Sequence, residues 1–282
     1  MNTKSIFTFF AFIILANPLR AQIDTIFQSD GTVLPVIVKE INESSIKYIF
    51  PNEDIINTIS KNAVKKIHYK SGRIEEFSSS LNLLNVQSGL DFENVQISKV
   101  ESEISGLYKI DNIDAKASGA TTMSSIAKIQ ERAYSKLKME AAMIGSNVVL
   151  INQQNTEAGQ AGGQFGGGKM PTVTVSGICY TSKKVKNNEI AFGNYEVSHV
   201  YYLGANDFEI HEDEIMKESM VINENDIIYE NNFPKIKLQT KSLSEVQSFV
   251  IIFAAPDKLI LSGIYVSQNG KKKYYNLVLR KI

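Results

Sequence analysis

The chain has 282 residues, 30 basic and 30 acidic side chains, and 43 % hydrophobic residues. That balance excludes a dedicated polyanion binder, which needs clustered Lys and Arg, and the apolar share excludes a disordered chain. Cys179 is the only cysteine, so no intramolecular disulfide can form and burial must hold the fold.

Lys4, the apolar run at residues 6–16 and the small residue Ala21 form the pattern of a secretory signal, too short to span a bilayer. The reading is a signal peptide over residues 1–21, with Gln22 first in the mature chain. Loss of Lys4 and Arg20 leaves 28 bases against 30 acids, a net charge of −2. No cysteine follows the cleavage point, which disfavours a lipid anchor, and no later run approaches the ~20 apolar residues of a membrane helix. The expected product is exported: periplasmic, outer-membrane-associated or extracellular.

Residues 22–77 carry β-rich runs at 23–28, 33–41, 46–50, 55–60 and 64–69, separated by Asp30-Gly31, Pro51-Asn52 and Ser71-Gly72. Glycine in such turns supplies positive φ without steric cost. This spacing predicts a small antiparallel β module. Residues 78–94 show no clear period and are read as a linker.

Residues 95–182 predict an α+β module. Residues 95–100 alternate as a strand. A helix is predicted over 125–144, where Ile126, Ile129, Ala133, Leu137, Ala141 and Ile144 form one stripe. Lys128, Glu131, Arg132, Lys136 and Lys138 fall mostly off it. Ser125 is placed to cap the helix start and Gly145 to end it in the left-handed conformation. Residues 148–151 read as a short buried strand, 157–169 as a mobile glycine-rich loop and 172–180 as an alternating strand. The order is strand, helix, strand, strand.

A second linker, 183–189, leads to a C-terminal antiparallel β module over 190–282. Strands are predicted at 195–203, 226–229, 235–239, 248–253 and 259–266. The last hairpin is read around Asn269-Gly270 as a type I′ turn, with Lys271, Lys272 and Lys273 guarding a sheet edge. The fold class is α+β, mostly β.

No constellation of reactive residues outweighs its plainer explanation. The stretch from Gly163 to Lys169 has the spacing of a phosphate-cradling loop. Met170, however, stands where Ser or Thr would hold magnesium, and Pro171 leads into a strand instead of a helix. His68, His199 and His211 stand singly in strand-like contexts. His211, Glu212, Asp213 and Glu214 offer at most two ligands to one face, short of the three a zinc site takes from protein. Cys179 shares a strand face with Val173, Val175 and Gly177 and is read as packed, not nucleophilic. The pattern does not decide whether Cys179, His199 and His211 meet in space. There is no Gly-x-Ser-x-Gly elbow. Asp111-Asn112-Ile113-Asp114 and Asn223-Glu224-Asn225-Asp226 lack a calcium-loop register and are read as turns. No catalytic, cofactor-binding or metal residue is assigned, no cofactor is expected, and nucleic acid is set aside as a partner.

Where the helix ends, KLKMEAAMIGSNVVLINQQN followed by VTVSGICY resembles small exported α+β domains of the YbjQ and RcsF type. There a helix closes on an Ala-x-x-x-Gly-x-Asn step and a later strand ends small-Gly-x-x-Tyr. The matching positions are Ala141, Gly145, Asn147, Gly177 and Tyr180. RcsF-type domains use disulfides, which this chain cannot form, so no sensor role is carried over. The wider arrangement, opening on Asp24, Ile26, Asp30 and Gly31, resembles uncharacterised exported proteins of the Bacteroidota type, which implies a cell-envelope setting without a defined activity. Gly263 to Val266, Asn269-Gly270-Lys271 and Arg280-Lys281-Ile282 are similar to the last strands of type IX secretion sorting domains. An ordinary closing hairpin explains the same residues.

The expected function is that of a non-catalytic envelope protein acting by binding or structural support, partnered by another envelope protein or a cell-wall component. One alternative is a hydrolase with a site assembled between modules near loop 157–169, since long loops in compact domains are often functional. The other is cargo of a type IX-like secretion system.

Overall fold

The protein is a computed structural model that describes residues 23–29, 31–77, 81–162, 167–213, 218–241 and 243–282. The expected leader at 1–21, Asp30, the centre of the glycine-rich loop and Glu214 lie outside the described residues.

The first sheet holds β1 (Asp24–Gln28), β2 (Val33–Ile41), β3 (Ser45–Ile49), β4 (Asn57–Ser60), β5 (Val64–His68) and β6 (Ile74–Glu76). They lie antiparallel in the order β4-β3-β2-β1-β5-β6. Alternation along the strands sends Ile26, Val36, Ile46, Ile59 and Ile67 into one core. Asp24 is buried because its carboxylate is used: it accepts the N–H of Val38 at 2.9 Å and of Lys70 at 2.8 Å. Beyond this sheet the connecting residues are packed. Leu81 and Leu83 join the first core and Val86 joins the next one.

The second sheet holds β7 (Gln96–Ser98), β8 (Tyr108–Ser118), β9 (Val148–Glu157) and β10 (Thr172–Thr181), in the order β7-β9-β10-β8. The β7–β9 pair is parallel and the others antiparallel. Asp111-Asn112-Ile113-Asp114, expected as a turn, lies inside β8. Ile113, Ala115 and Ala117 point into the core, and Asn112, Asp114 and Lys116 take the alternate exposed positions. β9 runs well past the predicted end because β10 pairs with it as far as Thr172↔Glu157.

The helix α1 (Ile126–Met143), the one α-helix among the described residues, connects β8 to β9. Ser125 precedes it as expected, but its side chain makes no capping bond; its backbone carbonyl accepts from Ile129 N–H. At the other end Gly145 has φ 77°. Ser146 N–H reaches Ala141 O and Gly145 N–H reaches Ala142 O, the paired bonds of a Schellman stop. A Cβ on Gly145 would also sit 2.9 Å from Ile252 Cβ in the third sheet. Gly145→Ala is therefore expected to cost about 2 kcal/mol from the left-handed backbone alone, and more from the displaced Ile252. A loss of unfolding free energy, read from urea titration, that does not exceed the backbone share would contradict this close approach.

The third sheet comprises β11 (Gly193–Leu203), β12 (His211–Glu212), β13 (Ser219–Ile222), β14 (Ile227–Glu230), β15 (Phe233–Lys237), β16 (Ser248–Ala255), β17 (Lys258–Val266) and β18 (Lys272–Lys281). Its order is β12-β11-β18-β17-β16-β15-β14, with β13 also paired to β11. β18 pairs with β17 along its length and with β11 only from Tyr274 onward, so Lys272 and Lys273 lie where the β11 side of the strand is unpaired; Lys273 Nζ lies over the Tyr202 and Tyr275 rings. One expectation fails here: Asn269-Gly270 is not a type I′ turn. Only Gly270 has positive φ, Gly270 N–H bonds Ser267 O, and Ser267 N–H bonds Lys271 O, which is a three-residue loop closed by a left-handed glycine. The two-residue hairpin with positive φ at both positions joins β14 to β15 through Asn231 (52°) and Asn232 (66°).

One face of this third sheet covers α1: Leu203 and Tyr274 share a core with Ile129, Ala133 and Leu137. The helix is thus enclosed on two sides. That is why Lys136, expected among the polar positions, is buried together with Glu140.

Candidate functional site

The residues singled out in the sequence do not converge. Cys179 lies in the core beneath α1, fully buried, and burial pushes its thiol far above the usual range. His199 stacks on Tyr201 at 5.8 Å and lies 3.9 Å from Glu212. His211 stacks on Tyr202 at 5.2 Å and lies 3.8 Å from Asp207. Tyr201 and Tyr202 point to opposite faces of β11, and the two imidazoles follow them. His68 packs on Phe27 with its Nε2 buried and unpartnered among the described residues. No group of three or more His, Cys, Asp or Glu capable of holding a metal occurs among the described residues. Lys169 pairs with Glu157 at 2.8 Å and leads through Pro171 into β10, so no helix N-terminus follows the glycines.

What the fold does assemble is a cleft of about 390 Å³ between the second and third sheets. Ile110 and Asp111 come from β8, Ile144 and Gly145 from the end of α1, and Lys183 to Val185 from the segment after β10. Phe233, Lys235, Val250, Ile252 and Ile264 come from the facing strands. Gly145 makes this junction possible, since its missing side chain lets β16 approach the helix end. Asn147 fixes the segment after β10: its side chain donates to Ser182 Oγ at 2.8 Å and to Leu84 O at 3.3 Å, and accepts from Ser182 N–H at 3.2 Å. None of the described residues of loop 157–169 lines the cleft.

The charges at the cleft are mostly paired. Lys235 bonds Glu230 at 2.6 Å and Lys183 lies 3.7 Å from Glu189. Lys184 has its ammonium 3.9 Å from the Tyr108 ring centroid, and burial holds its ionisation below the usual lysine range. The wall between them is aliphatic and aromatic. Such a site can hold a molecule with an apolar body and a polar end.

A second buried ionisable group lies outside the cleft. Glu140 is under α1, with the Tyr274 hydroxyl 3.5 Å from its Oε2, and burial pushes its carboxyl up to about 8. Lys136, one turn earlier, donates to Ala205 O and lies 5.1 Å from the Phe208 ring centroid. Sequence reasoning missed the pair. The available signal was a second row on the helix, Ile129, Ala133, Lys136, Glu140 and Met143, spaced four, three, four and three apart.

No family model matches the chain, and neither a curated protein nor a solved structure matches it.

Proposed function

We propose that the chain is a non-catalytic binding protein that takes a small amphipathic molecule in the cleft between its second and third sheets. The observation carrying this reading is the cleft itself: about 390 Å³, within the range of small-molecule sites, walled by Ile110, Val185, Phe233, Ile252 and Ile264. Two of its lysines are held by carboxylates, Lys235 by Glu230 and Lys183 by Glu189, and with Lys184 and Asp111 they give the cleft a polar margin suited to recognition of a polar end. The expected leader would place this binding in the cell envelope, where a protein without disulfides depends on its cores.

A dansyl-labelled fatty acid is the probe. It is expected to bind saturably at one equivalent, and Phe233→Ala is expected to weaken it about tenfold through loss of apolar contact. Absence of saturable binding, or binding indifferent to both Phe233→Ala and Ile252→Asp, would overturn the reading.

A further inference from the structure

The segment after β10 has a hollow on each side. One is the cleft. The other is a recess of about 240 Å³ closed against the first sheet. Its wall is aromatic: Tyr48 and Phe50 meet edge to face at 5.5 Å, and Tyr108 completes it. Its rim carries Lys183, Lys184 and Lys186 against a single carboxylate, Glu189.

The three lysines are not equivalent. Lys183 has Glu189 beside it, and Lys186 donates to Asn57 Oδ1 at 3.1 Å. These two need no ligand to explain them. Lys184 lies on the Tyr108 ring and has no carboxylate partner among the described residues. A half-buried ammonium in that position has given up part of its hydration and gained only a ring face in return. Its lowered ionisation has the same origin. An anion entering the recess would restore the missing counter-charge through charge-assisted hydrogen bonds, the strong class. The Tyr48 and Tyr108 phenols, whose ionisation burial pushes above the usual range, are hydrogen-bond donors near neutral pH. A bare inorganic anion would leave the aromatic wall unused, whereas a flat ring can stack on it.

We infer that this recess is a second binding site, for a small anion that carries a flat ring: the ring against the wall of Tyr48, Phe50 and Tyr108, the carboxylate or phosphate at Lys184 and Lys186. The recess shares Lys183 and Lys184 with the cleft but is separable from it, because Tyr108 and Lys186 line the recess alone and Phe233 lines the cleft alone.

Phenyl phosphate, with inorganic phosphate and benzoate beside it, tests the site by calorimetric titration of the full chain. Phenyl phosphate is expected to bind saturably at one equivalent and more tightly than inorganic phosphate. Lys184→Gln and Tyr108→Leu should each weaken it about tenfold, with Phe233→Ala leaving it unchanged. Benzoate binding with the same mutational pattern would place recognition in the anion generally; benzoate failing where phenyl phosphate binds would place it in phosphate. Lys184→Gln, a partly exposed change, reads the site even if Tyr108→Leu unfolds. No saturable binding of phenyl phosphate or benzoate, equal affinity for inorganic phosphate, or sensitivity to Phe233→Ala without sensitivity to Lys184→Gln would overturn the inference.

Discussion

Asn276→Ala is expected to lower the free energy of unfolding by about 4 kcal/mol. Asn276 is fully buried in the middle of β18. Its Oδ1 accepts from Gly89 N–H at 2.7 Å, and its Nδ2 donates to Met143 O at 2.8 Å. Met143 ends α1, so its carbonyl is one of the last-turn acceptors that a helix cannot satisfy internally. Gly89 opens the short helical turn that packs on α1, and a Cβ there would meet Met143 Sδ at 2.2 Å, so any other residue would have to displace the Met143 side chain. One amide therefore joins three segments far apart in the chain. Alanine would leave a buried donor and a buried acceptor unpaired, each costing ~1–3 kcal/mol. Against a total stability of ~5–15 kcal/mol this is a large share. Urea unfolding with an unchanged m-value would measure it, with the exposed Asn187→Ala as a control expected to stay within ~0.5 kcal/mol. A loss for Asn276→Ala as small as the control's would mean that the amide does not hold these segments together.

Local features of this kind were only partly legible in the sequence. Residue periodicity is a property of single elements, so α1, its glycine stop and most strands could be read directly. The step from Ala141 through Gly145 to Asn147 stood out as a motif, and the structure gives it a physical content: a Schellman stop followed by an amide that ties the segments at Leu84 and Ser182. What failed depended on distant partners. β8 was missed because Asp111, Asn112 and Asp114 spell a turn, and only pairing with β10 makes them exposed strand positions. Lys136 looked solvated, and Glu140 drew no notice, because the sheet that covers them comes from residues near Tyr274. Asn276 was overlooked although it interrupts an apolar run, Tyr274-Tyr275 before it and Leu277-Val278-Leu279 after it, where a buried amide needs partners. The cleft was invisible for the same reason. Ile110, Ile144, Lys184, Phe233 and Ile252 share no local pattern and meet only when the second and third sheets pack.

The second large effect is a pH dependence set by Glu140. Stability is expected to fall as pH rises from 4.5 to about 8, and Glu140→Gln to remove most of that slope. The sign follows from proton counting. Burial raises the folded-state carboxyl above its unfolded value, with the Asp114 charge adding to the shift and Lys136, Lys272 and the Tyr274 hydroxyl opposing it. Between the two values the folded chain keeps a proton that the unfolded chain has released, so each rise in pH favours unfolding. Below 4.5 both states are protonated and Glu140 contributes nothing; above about 8 both are ionised and the full penalty is present. One pKa unit is ~1.4 kcal/mol, so the penalty reaches at most about 5 kcal/mol. Lys136 acts in the opposite sense. Burial lowers its ionisation despite Glu140, Asp207 and Asp114, and the stability it withholds returns as pH rises toward 10.5, where the unfolded lysine also loses its proton. Glutamine keeps the shape of the neutral acid and an acceptor for Tyr274, but cannot ionise. The urea midpoint should therefore fall between about pH 5 and about pH 9 for the native chain and not fall for Glu140→Gln, where only the opposite trend of Lys136 remains, with the variant the more stable at the higher pH. If both proteins show the same slope, Glu140 is not held protonated beneath α1, and the enclosure of the helix by two sheets does not have the electrostatic consequence its burial requires.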